Sequence, residues 1–294
     1  MSHIKLLRPK HWVKNSFLFI PAFFSGDLFG QLFNIDLFLG FLAFSFAASC
    51  IYVINDYRDI EADRLHPKKK KRPLASGKVT KNEAIIVMVV LVILSVVISY
   101  VVGAKFAFVL GIYFIMNLGY SFGLKKIAIL DIMIVAIGFV LRIKAGGVIS
   151  EIAVSQWLMV MIFLLALFIA VAKRRDDVLL KEATGADVRL ASSKYNLDFL
   201  NSLQSILSAI IVVAYLMYAM SDHVMETFQT YRLYYTTIFV IAGVMRYLQI
   251  SLVENNTGSP TELLYSDRFI QMTLFLWLLS FYLIIYSPNL NIFQ

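Results

Sequence analysis

Nine long apolar runs constrain the fold of this chain more than any other feature of its sequence. A helix that crosses the roughly 30 Å hydrocarbon core of a bilayer needs about 20 apolar residues. Lipid offers backbone amides no hydrogen-bond partners, and unbroken apolar runs lack the alternation of a barrel strand, so the spans must be helices. The sequence predicts an all-α, polytopic membrane protein with nine transmembrane helices near residues 14–31, 36–56, 83–103, 105–122, 128–149, 154–172, 200–220, 232–252 and 268–287.

Composition supports one membrane domain. Of the 294 residues, 60% are hydrophobic and 16% are charged, and the mean hydropathy is +0.75, unlike that of a soluble protein. No large soluble domain fits between the spans, so we predict a single transmembrane domain over residues 1–294. The basic N-terminus precedes a long aromatic run without a small-residue cleavage site, which indicates a retained first helix. The single Cys50 lies inside a span and is predicted to pack there.

The distribution of Lys and Arg predicts the orientation in the membrane. Cation-rich segments alternate with cation-poor connections, which places the N-terminus in the cytoplasm. The loops 57–82, 123–127, 173–199 and 253–267 then share the cytoplasmic face, where we expect the active site. This topology explains much of the net charge of +8, and nucleic-acid binding is not expected because no basic soluble module is present.

The stretch NDYRDIEAD, at the end of the second predicted span, gathers carboxylates at helical spacing. If the helix continues past the membrane face, Asp56, Asp59 and Asp63 fall at i, i+3 and i+7, and Asn55 lies one turn before Asp59. Like charges in such a row repel unless divalent cations lie between them, and hard oxygen ligands suit Mg²⁺. The alternative interpretation is a solvated helix whose charges are balanced by the lysines that follow.

The next stretch, HPKKKKRPLASGK, is cationic and contains helix-breaking residues. Its prolines and glycine predict that the helix ends near His66–Pro67 and that a loop begins. Lys68 to Lys71 are interpreted as anchors on anionic lipid. Arg72 and Lys78 are better candidates for phosphate binding, because the proline and glycine around them constrain the loop.

Two further cytoplasmic segments carry candidate residues. In NLGYSFGLKKIAILD, Tyr120 and Lys125 precede Asp131, an ionisable residue inside a span that could position a cation or accept a substrate hydroxyl. An interhelical salt bridge is the alternative for Asp131. In KRRDD, the cations Lys173 and Arg174 end a span and form either a solvated helix exit or another wall of one polar site.

Three cations lie within the spans. Arg142 and Lys144 are expected to snorkel or to be paired near the outer end of the fifth span. Arg246 lies within the eighth span, and a polar loop with Asp267 follows it, so both could close the site.

The order of these motifs resembles that of a known family. NDYRDIEAD fits the NDxxDxxxD motif of the UbiA superfamily of intramembrane prenyltransferases, in which the acidic motif follows the second of nine helices. The chain is also similar to the branch that transfers phosphoribosyl groups to polyprenyl phosphates for cell-wall precursors, through the stretches LRPKHWVKN, YSFGLKKIAILDI, LRIKAGG and KRRDD. In place of a second acidic motif with aspartates separated by three intervening residues, this chain has adjacent Asp176 and Asp177.

The resemblance implies a UbiA-like helical bundle that catalyses Mg²⁺-dependent transfer from phosphoribosyl diphosphate to a polyprenyl phosphate, in a bacterial cytoplasmic membrane. It leaves open a homo-oligomer and an aromatic or quinone-precursor prenyltransferase on the same fold. A transporter is less favoured, because the charges cluster at one face instead of at the membrane midplane. The implied metal ligands are Asn55, Asp56, Asp59, Asp63 and Asp177. The implied catalytic residues are Asp56, Asp59 and Asp131. The implied substrate-binding residues are Lys14, Asn55, Arg72, Tyr120, Lys125, Lys173 and Arg174.

Overall fold

The computed structural model of the chain is mainly helical in its described part. It describes residues 2–26, 30–31, 34–65, 69–184, 194–254, 263 and 266–286, and these contain no β-strand. Eight of its helical segments are long and apolar enough to cross a bilayer. The prediction of an all-α, multi-pass membrane protein is confirmed, whereas the count of nine spans is not.

The helices follow the apolar runs closely. Short 3₁₀ segments at Pro9–Phe19, Lys69–Lys71, Leu124–Lys126 and Arg232–Thr236 connect or precede them. The α-helices are α1 (Ser2–Leu7), α2 (Ile20–Phe24), α3 (Ile35–Arg58), α4 (Ile60–Leu65), α5 (Lys81–Val102), α6 (Ala104–Phe122), α7 (Leu130–Ile149), α8 (Gln156–Thr184), α9 (Leu197–Ala219), α10 (Asp222–Phe228), α11 (Thr237–Leu252) and α12 (Arg268–Tyr286).

The chain divides into two compact units. Unit 1 comprises Met1–Lys125 and Gly138–Val154, and unit 2 comprises Lys126–Ile137 and Ser155–Gln294. Helix α7 therefore contributes its first residues to unit 2 and the rest to unit 1. Whether the chain functions as a single domain stays a prediction.

Helix α3 forms the centre of unit 1. Its small residues, among them Ala43 and Ala47, are buried, and α5 packs along it. Cys50 is also buried there, with its thiol directed at the carbonyl oxygen of Met88 3.7 Å away, as expected of a packing residue. Small side chains let helix backbones approach closely, which drives association between apolar helices in lipid.

The first predicted span has a different structure from the others. Instead of one long helix, the described residues form the 3₁₀ helix Pro9–Phe19 followed by α2. Trp12 donates to Ser49 Oγ over 2.9 Å, and Asn15 Nδ2 donates to Ser45 Oγ over 3.0 Å. Three residues of a 3₁₀ helix rise about 6 Å, the same as four residues of an α-helix, so the 3₁₀ geometry keeps the two contacts in register along α3.

Arg142 was expected to snorkel or to be paired, and the structure shows a buried, hydrogen-bonded side chain. Its Nε donates to Asn15 Oδ1 over 2.8 Å, and Nη2 donates to the hydroxyl of Tyr113 over 2.9 Å. Snorkelling is therefore wrong for Arg142, because the guanidinium finds neutral acceptors and aromatic faces within unit 1. Lys144, on the same helix, is exposed.

Unit 2 is built on the packing of α8 against α9 and of α11 against α12. Its core contains Phe168 and Val171 from α8, Leu207 from α9 and Tyr247 and Ile250 from α11. This core also contains a hydrogen bond between two buried polar side chains, in which Ser251 Oγ donates to Gln204 Oε1 over 3.1 Å. Exposed aliphatic side chains on the spans form the outer surface, as expected for helices that face lipid.

Candidate active site

The acidic motif at the end of α3 forms a charged cluster in unit 1. In the first half of this cluster, two carboxylates share one cation. Arg72 Nη1 donates to Asp56 Oδ1 over 3.1 Å and to Asp63 Oδ2 over 2.6 Å. Arg8 Nη2 also donates to Asp56 Oδ1, over 2.5 Å. Asp56 is almost fully buried, so its carboxylate depends on these two guanidinium groups for solvation.

The second half of the unit 1 cluster combines an amide, a carboxylate and an ammonium group. Lys125 Nζ donates to Asn55 Oδ1 over 2.9 Å and to Asp59 Oδ2 over 3.0 Å. Asn55 Nδ2 in turn donates to Asp59 Oδ2 over 3.1 Å. Each of the three side chains thereby orients the other two.

The predicted single row of carboxylates is divided into two pairs, although the backbone stays close to helical. Helix α3 ends at Arg58, and Asp59 lies between α3 and α4 with φ −95° and ψ 10°. The hydrogen bonds Asp59 N to Asn55 O and Asp63 N to Asp59 O still follow the i to i−4 pattern. The chain therefore stays helical in direction, but Asp56 and Asp63 face Arg72 while Asn55 and Asp59 face Lys125.

The loop that carries Arg72 is constrained, as its sequence predicted. Val79 N donates to Pro73 O over 3.2 Å, and Gly77 has φ +74°, a value that glycine adopts without strain. Lys78 is exposed. The expected end of the preceding helix at His66–Pro67 lies outside the described residues, and α4 is described as far as Leu65.

Sequence reasoning missed Arg8 as a member of this cluster. Arg8 has φ 52° and ψ 55°, a left-handed conformation that is uncommon for a residue other than glycine and is further restricted by the proline that follows. Its guanidinium carbon lies 5.1 Å from the centroid of the Tyr52 ring. The stretch LRPKHWVKN, which contributes to the family resemblance, was the available signal, because Arg8 and Asp56 are 48 positions apart.

Unit 2 contains a second charged cluster, and this one is buried. Arg174 Nε donates to Asp131 Oδ2 over 2.5 Å, and the Tyr195 hydroxyl donates to Asp131 Oδ1 over 2.7 Å. Arg174 Nη1 also lies 3.5 Å from Asp177 Oδ2. Burial, the largest cause, raises the pKa of Tyr195 to about 12, so the phenol stays protonated and can donate at neutral pH.

The remaining predicted site residues lie on several elements, of which α8 also carries Arg174. Lys14 is half-buried on the 3₁₀ helix Pro9–Phe19, and Tyr120 is half-buried near the end of α6. Lys173 is exposed on α8, next to Arg174. Arg246 pairs with Asp267 over 2.7 Å in unit 2, separately from the Asp131 cluster.

The donor atoms around Arg72 are of the kind that Mg²⁺ prefers. Among the described residues, no group of three or more His, Cys, Asp or Glu converges on one metal position. Asp56 and Asp63 nevertheless each place a carboxylate oxygen within hydrogen-bond distance of the same nitrogen atom. Mg²⁺ commonly takes one or two protein carboxylates and fills its other positions with water and substrate phosphate, which fits this pair.

Comparison with known proteins decides the family. The model of the UbiA prenyltransferase family matches residues 18–279. The chain belongs to the UbiA prenyltransferase family. A decaprenyl-phosphate phosphoribosyltransferase of Corynebacterium glutamicum is 35% identical over 289 residues, which cover 96% of this chain and 86% of the relative. A protein of the same name from Mycolicibacterium smegmatis is 35% identical over 94% of this chain and 89% of its own length.

Solved structures of the UbiA family share the fold. A UbiA homolog from Archaeoglobus fulgidus bound to GPP and Mg²⁺ has a TM-score of 0.70 and 21% identity, covering 98% of this chain and all of the other. The all-α, UbiA-like architecture expected from the motif order is thereby confirmed. The chain is a transferase of this family by membership, and the bound Mg²⁺ of the homolog is consistent with divalent-metal chemistry.

Proposed function

We propose that the protein transfers the phosphoribosyl group of phosphoribosyl diphosphate to a polyprenyl phosphate, releasing pyrophosphate. The observation that carries the proposal is the unit 1 cluster, in which three carboxylates are matched by three cations. A diphosphate with a bound divalent metal ion complements such a set, since the metal ion attracts the carboxylates and the phosphates attract the cations. The similarity to two decaprenyl-phosphate phosphoribosyltransferases supports a phosphoribosyl donor and a polyprenyl phosphate acceptor.

Mg²⁺ is the proposed metal ion, held by Asp56 and Asp63 with Asn55 and Asp59 beside them. When bound, it would neutralise charge on the diphosphate and make pyrophosphate a better leaving group. Arg8, Arg72 and Lys125 would then be released from the carboxylates and bind phosphate oxygens. In unit 2, Arg174 is the proposed phosphate ligand, with Lys173 beside it and Asp177 as a further candidate for the metal.

The chemistry needs positioning and charge more than proton transfer. Displacement at the anomeric carbon passes through an oxocarbenium-like transition state, and the acceptor phosphate is already anionic at neutral pH, so no general base is required. Both oxygens of Asp131 accept hydrogen bonds, from Arg174 and Tyr195. We therefore assign to Asp131 the orientation of Arg174, and not the abstraction of a proton.

The proposed setting is a bacterial cytoplasmic membrane, with the N-terminus and both clusters on the cytoplasmic side. Phosphoribosyl diphosphate is water-soluble, so it would reach its site from the cytoplasm. The polyprenyl tail would stay in the lipid, where exposed aliphatic side chains cover the spans.

A transfer assay with purified protein tests the proposal. The protein in lipid nanodiscs is incubated with Mg²⁺, labelled phosphoribosyl diphosphate and polyprenyl phosphate, and in parallel with a prenyl diphosphate and an aromatic acceptor. We expect a labelled lipid-linked phosphoribose from the first mixture only, and its loss when EDTA removes the metal. A prenylated aromatic product in the second mixture would instead establish the alternative activity of the same family.

A further inference from the structure

A strained residue precedes the buried ion pair of unit 2. Ile129, directly before α7, has φ +69°, and it is the only β-branched residue among the four described residues other than glycine with positive φ. A branched Cβ crowds the backbone in this left-handed conformation. Isoleucine is also a poor residue to begin a helix, because it has no side-chain oxygen to accept a backbone N–H. Local sequence preference therefore opposes the conformation, and a tertiary contact must hold it.

The Tyr195 hydroxyl supplies that contact. Ile129 N–H donates to the Tyr195 oxygen over 2.5 Å, and the same hydroxyl donates its proton to Asp131 Oδ1 over 2.7 Å. A phenol has one proton to give and a lone pair that can accept, so it makes both bonds at once. Tyr195 is 7% exposed, which keeps water from competing for either partner.

The two bonds connect the strained turn to the arginine. Asp131 receives Tyr195 on Oδ1 and Arg174 Nε on Oδ2, so the plane of its carboxylate is held on both sides. The guanidinium of Arg174 is planar, and a fixed partner on Nε therefore sets the direction of its remaining N–H groups. Asp131 and Arg174 are both almost fully buried, which leaves their orientation to protein contacts, and for Arg174 these include Asp177 at 3.5 Å.

We propose that Tyr195 is a positioning residue of the transferase, whose hydroxyl clamps the turn at Ile129 and thereby orients Arg174 through Asp131. The inference rests on the proposed function, in which Arg174 binds a phosphate of the donor. The ring of Tyr195 stacks on Phe199 with 6.1 Å between centroids and 6° between planes, and this packing needs only the ring. The clamp needs the oxygen atom as well.

Two substitutions and a matched control test the clamp. Tyr195→Phe keeps the ring and removes the hydroxyl, and Ile129→Gly allows the left-handed conformation without strain. Tyr215→Phe is the control, because Tyr215 is another buried tyrosine of unit 2, and its hydroxyl bonds to Thr236 and Trp277 outside the candidate active site. Two readouts are used: the KM for each substrate, and deuterium exchange of a peptide that covers position 129.

In Tyr195→Phe we expect the KM for phosphoribosyl diphosphate to rise about tenfold, the loss typical of one hydrogen bond to a charged group, with the KM for polyprenyl phosphate unchanged. Exchange at position 129 should also accelerate by about tenfold. In the Ile129→Gly background the KM penalty should fall to about threefold, since the turn no longer depends on the hydroxyl. Tyr215→Phe should alter neither quantity.

Several results would overturn the clamp. These are an equal Tyr195→Phe penalty in both backgrounds, an equal rise in both KM values, or unchanged exchange at position 129. The deuterium-exchange measurement needs no turnover, so it tests the clamp even if the wild-type protein forms no lipid-linked phosphoribose. Absence of that product in wild type would contradict the proposed function instead.

Discussion

The charged clusters of the two units differ in how readily their ion pairs can be exchanged. In unit 1 the cations are within reach of water: the side chains of Arg8, Arg72 and Lys125 are 20%, 26% and 25% exposed. In unit 2 the side chains of Arg174 and Asp131 are 2% and 1% exposed. A partly exposed cation keeps some solvation when a ligand with its metal ion takes over the buried carboxylate, whereas separating a pair with both members buried leaves an unsolvated charge. Unit 1 therefore suits ligand exchange, and unit 2 suits a fixed framework.

The largest expected effect is on turnover in unit 1. Asp56→Ala should reduce kcat/KM at least about 10³-fold, because it removes the shared carboxylate that we assign to the metal ion. Circular dichroism should show unchanged helical content. The control is Lys70→Ala, a change at an exposed cation next to the same loop. Full activity of the Asp56 variant would assign the catalytic metal to other residues.

The next effect is on the free energy of unfolding, and it compares one ion pair from each cluster. Asp131→Asn removes the nearer counter-charge of the buried Arg174, whose other one, Asp177, lies 3.5 Å from Nη1, and should lower the free energy of unfolding by up to about 3–5 kcal/mol. Asp59→Asn removes a partner of the partly exposed Lys125 and should cost less than about 1 kcal/mol. Denaturant unfolding in detergent compares them. Equal losses would show that the difference in burial does not control the strength of the pairs.

A smaller effect tests the cation that sequence reasoning missed. Arg8→Ala should lower kcat/KM about 10- to 100-fold, as expected when one charge-assisted hydrogen bond to a phosphate is lost. Lys10→Ala is the matched control, because Lys10 is an exposed cation two residues away. Initial rates in the phosphoribosyl transfer assay measure both variants. If both behave like wild type, the Arg8 contact to Asp56 is only structural.

The smallest effect concerns pH and a pair outside both clusters. The hydrogen bond from Arg246 holds the pKa of Asp267 below its usual value. The pair therefore contributes stability above about pH 4, the ordinary aspartate pKa, and loses it as the pH falls through the lower folded-state pKa. Thermal unfolding between pH 6 and pH 3 should show a slightly smaller loss of stability in Asp267→Asn than in wild type. A larger loss in the variant would reverse the sign of this contribution.

Much of the unit 1 cluster could be predicted from sequence because its chemistry is local. Asn55, Asp56, Asp59 and Asp63 lie within two and a half helical turns, so helical spacing alone placed them together. Arg72 follows in a loop whose proline and glycine indicated a fixed conformation. The division of the motif into two pairs was not predictable, since it depends on which cation reaches each carboxylate.

The N-terminal segment shows the limit of hydrophobic length as a signal. The apolar run at 14–31 predicted a span like the others, but the described residues form a 3₁₀ helix and a short α-helix. The hydrogen bonds from Trp12 and Asn15 to α3 favour the tighter helix. Neither contact can be identified from the run itself, because each joins residues 30 or more positions apart.

The sequence by itself determined an all-helical membrane protein with an acidic motif at the end of a span, since lipid leaves a long apolar run no other way to satisfy its backbone. Only the tertiary structure decided which polar groups are paired: Arg8 with Asp56, Lys125 with Asp59, and Tyr195 with both Asp131 and the strained Ile129. The physical reason is distance along the chain. Hydrophobic length is a local property, whereas the choice of an ionic partner depends on how helices pack, and these partners are 48 to 66 residues apart.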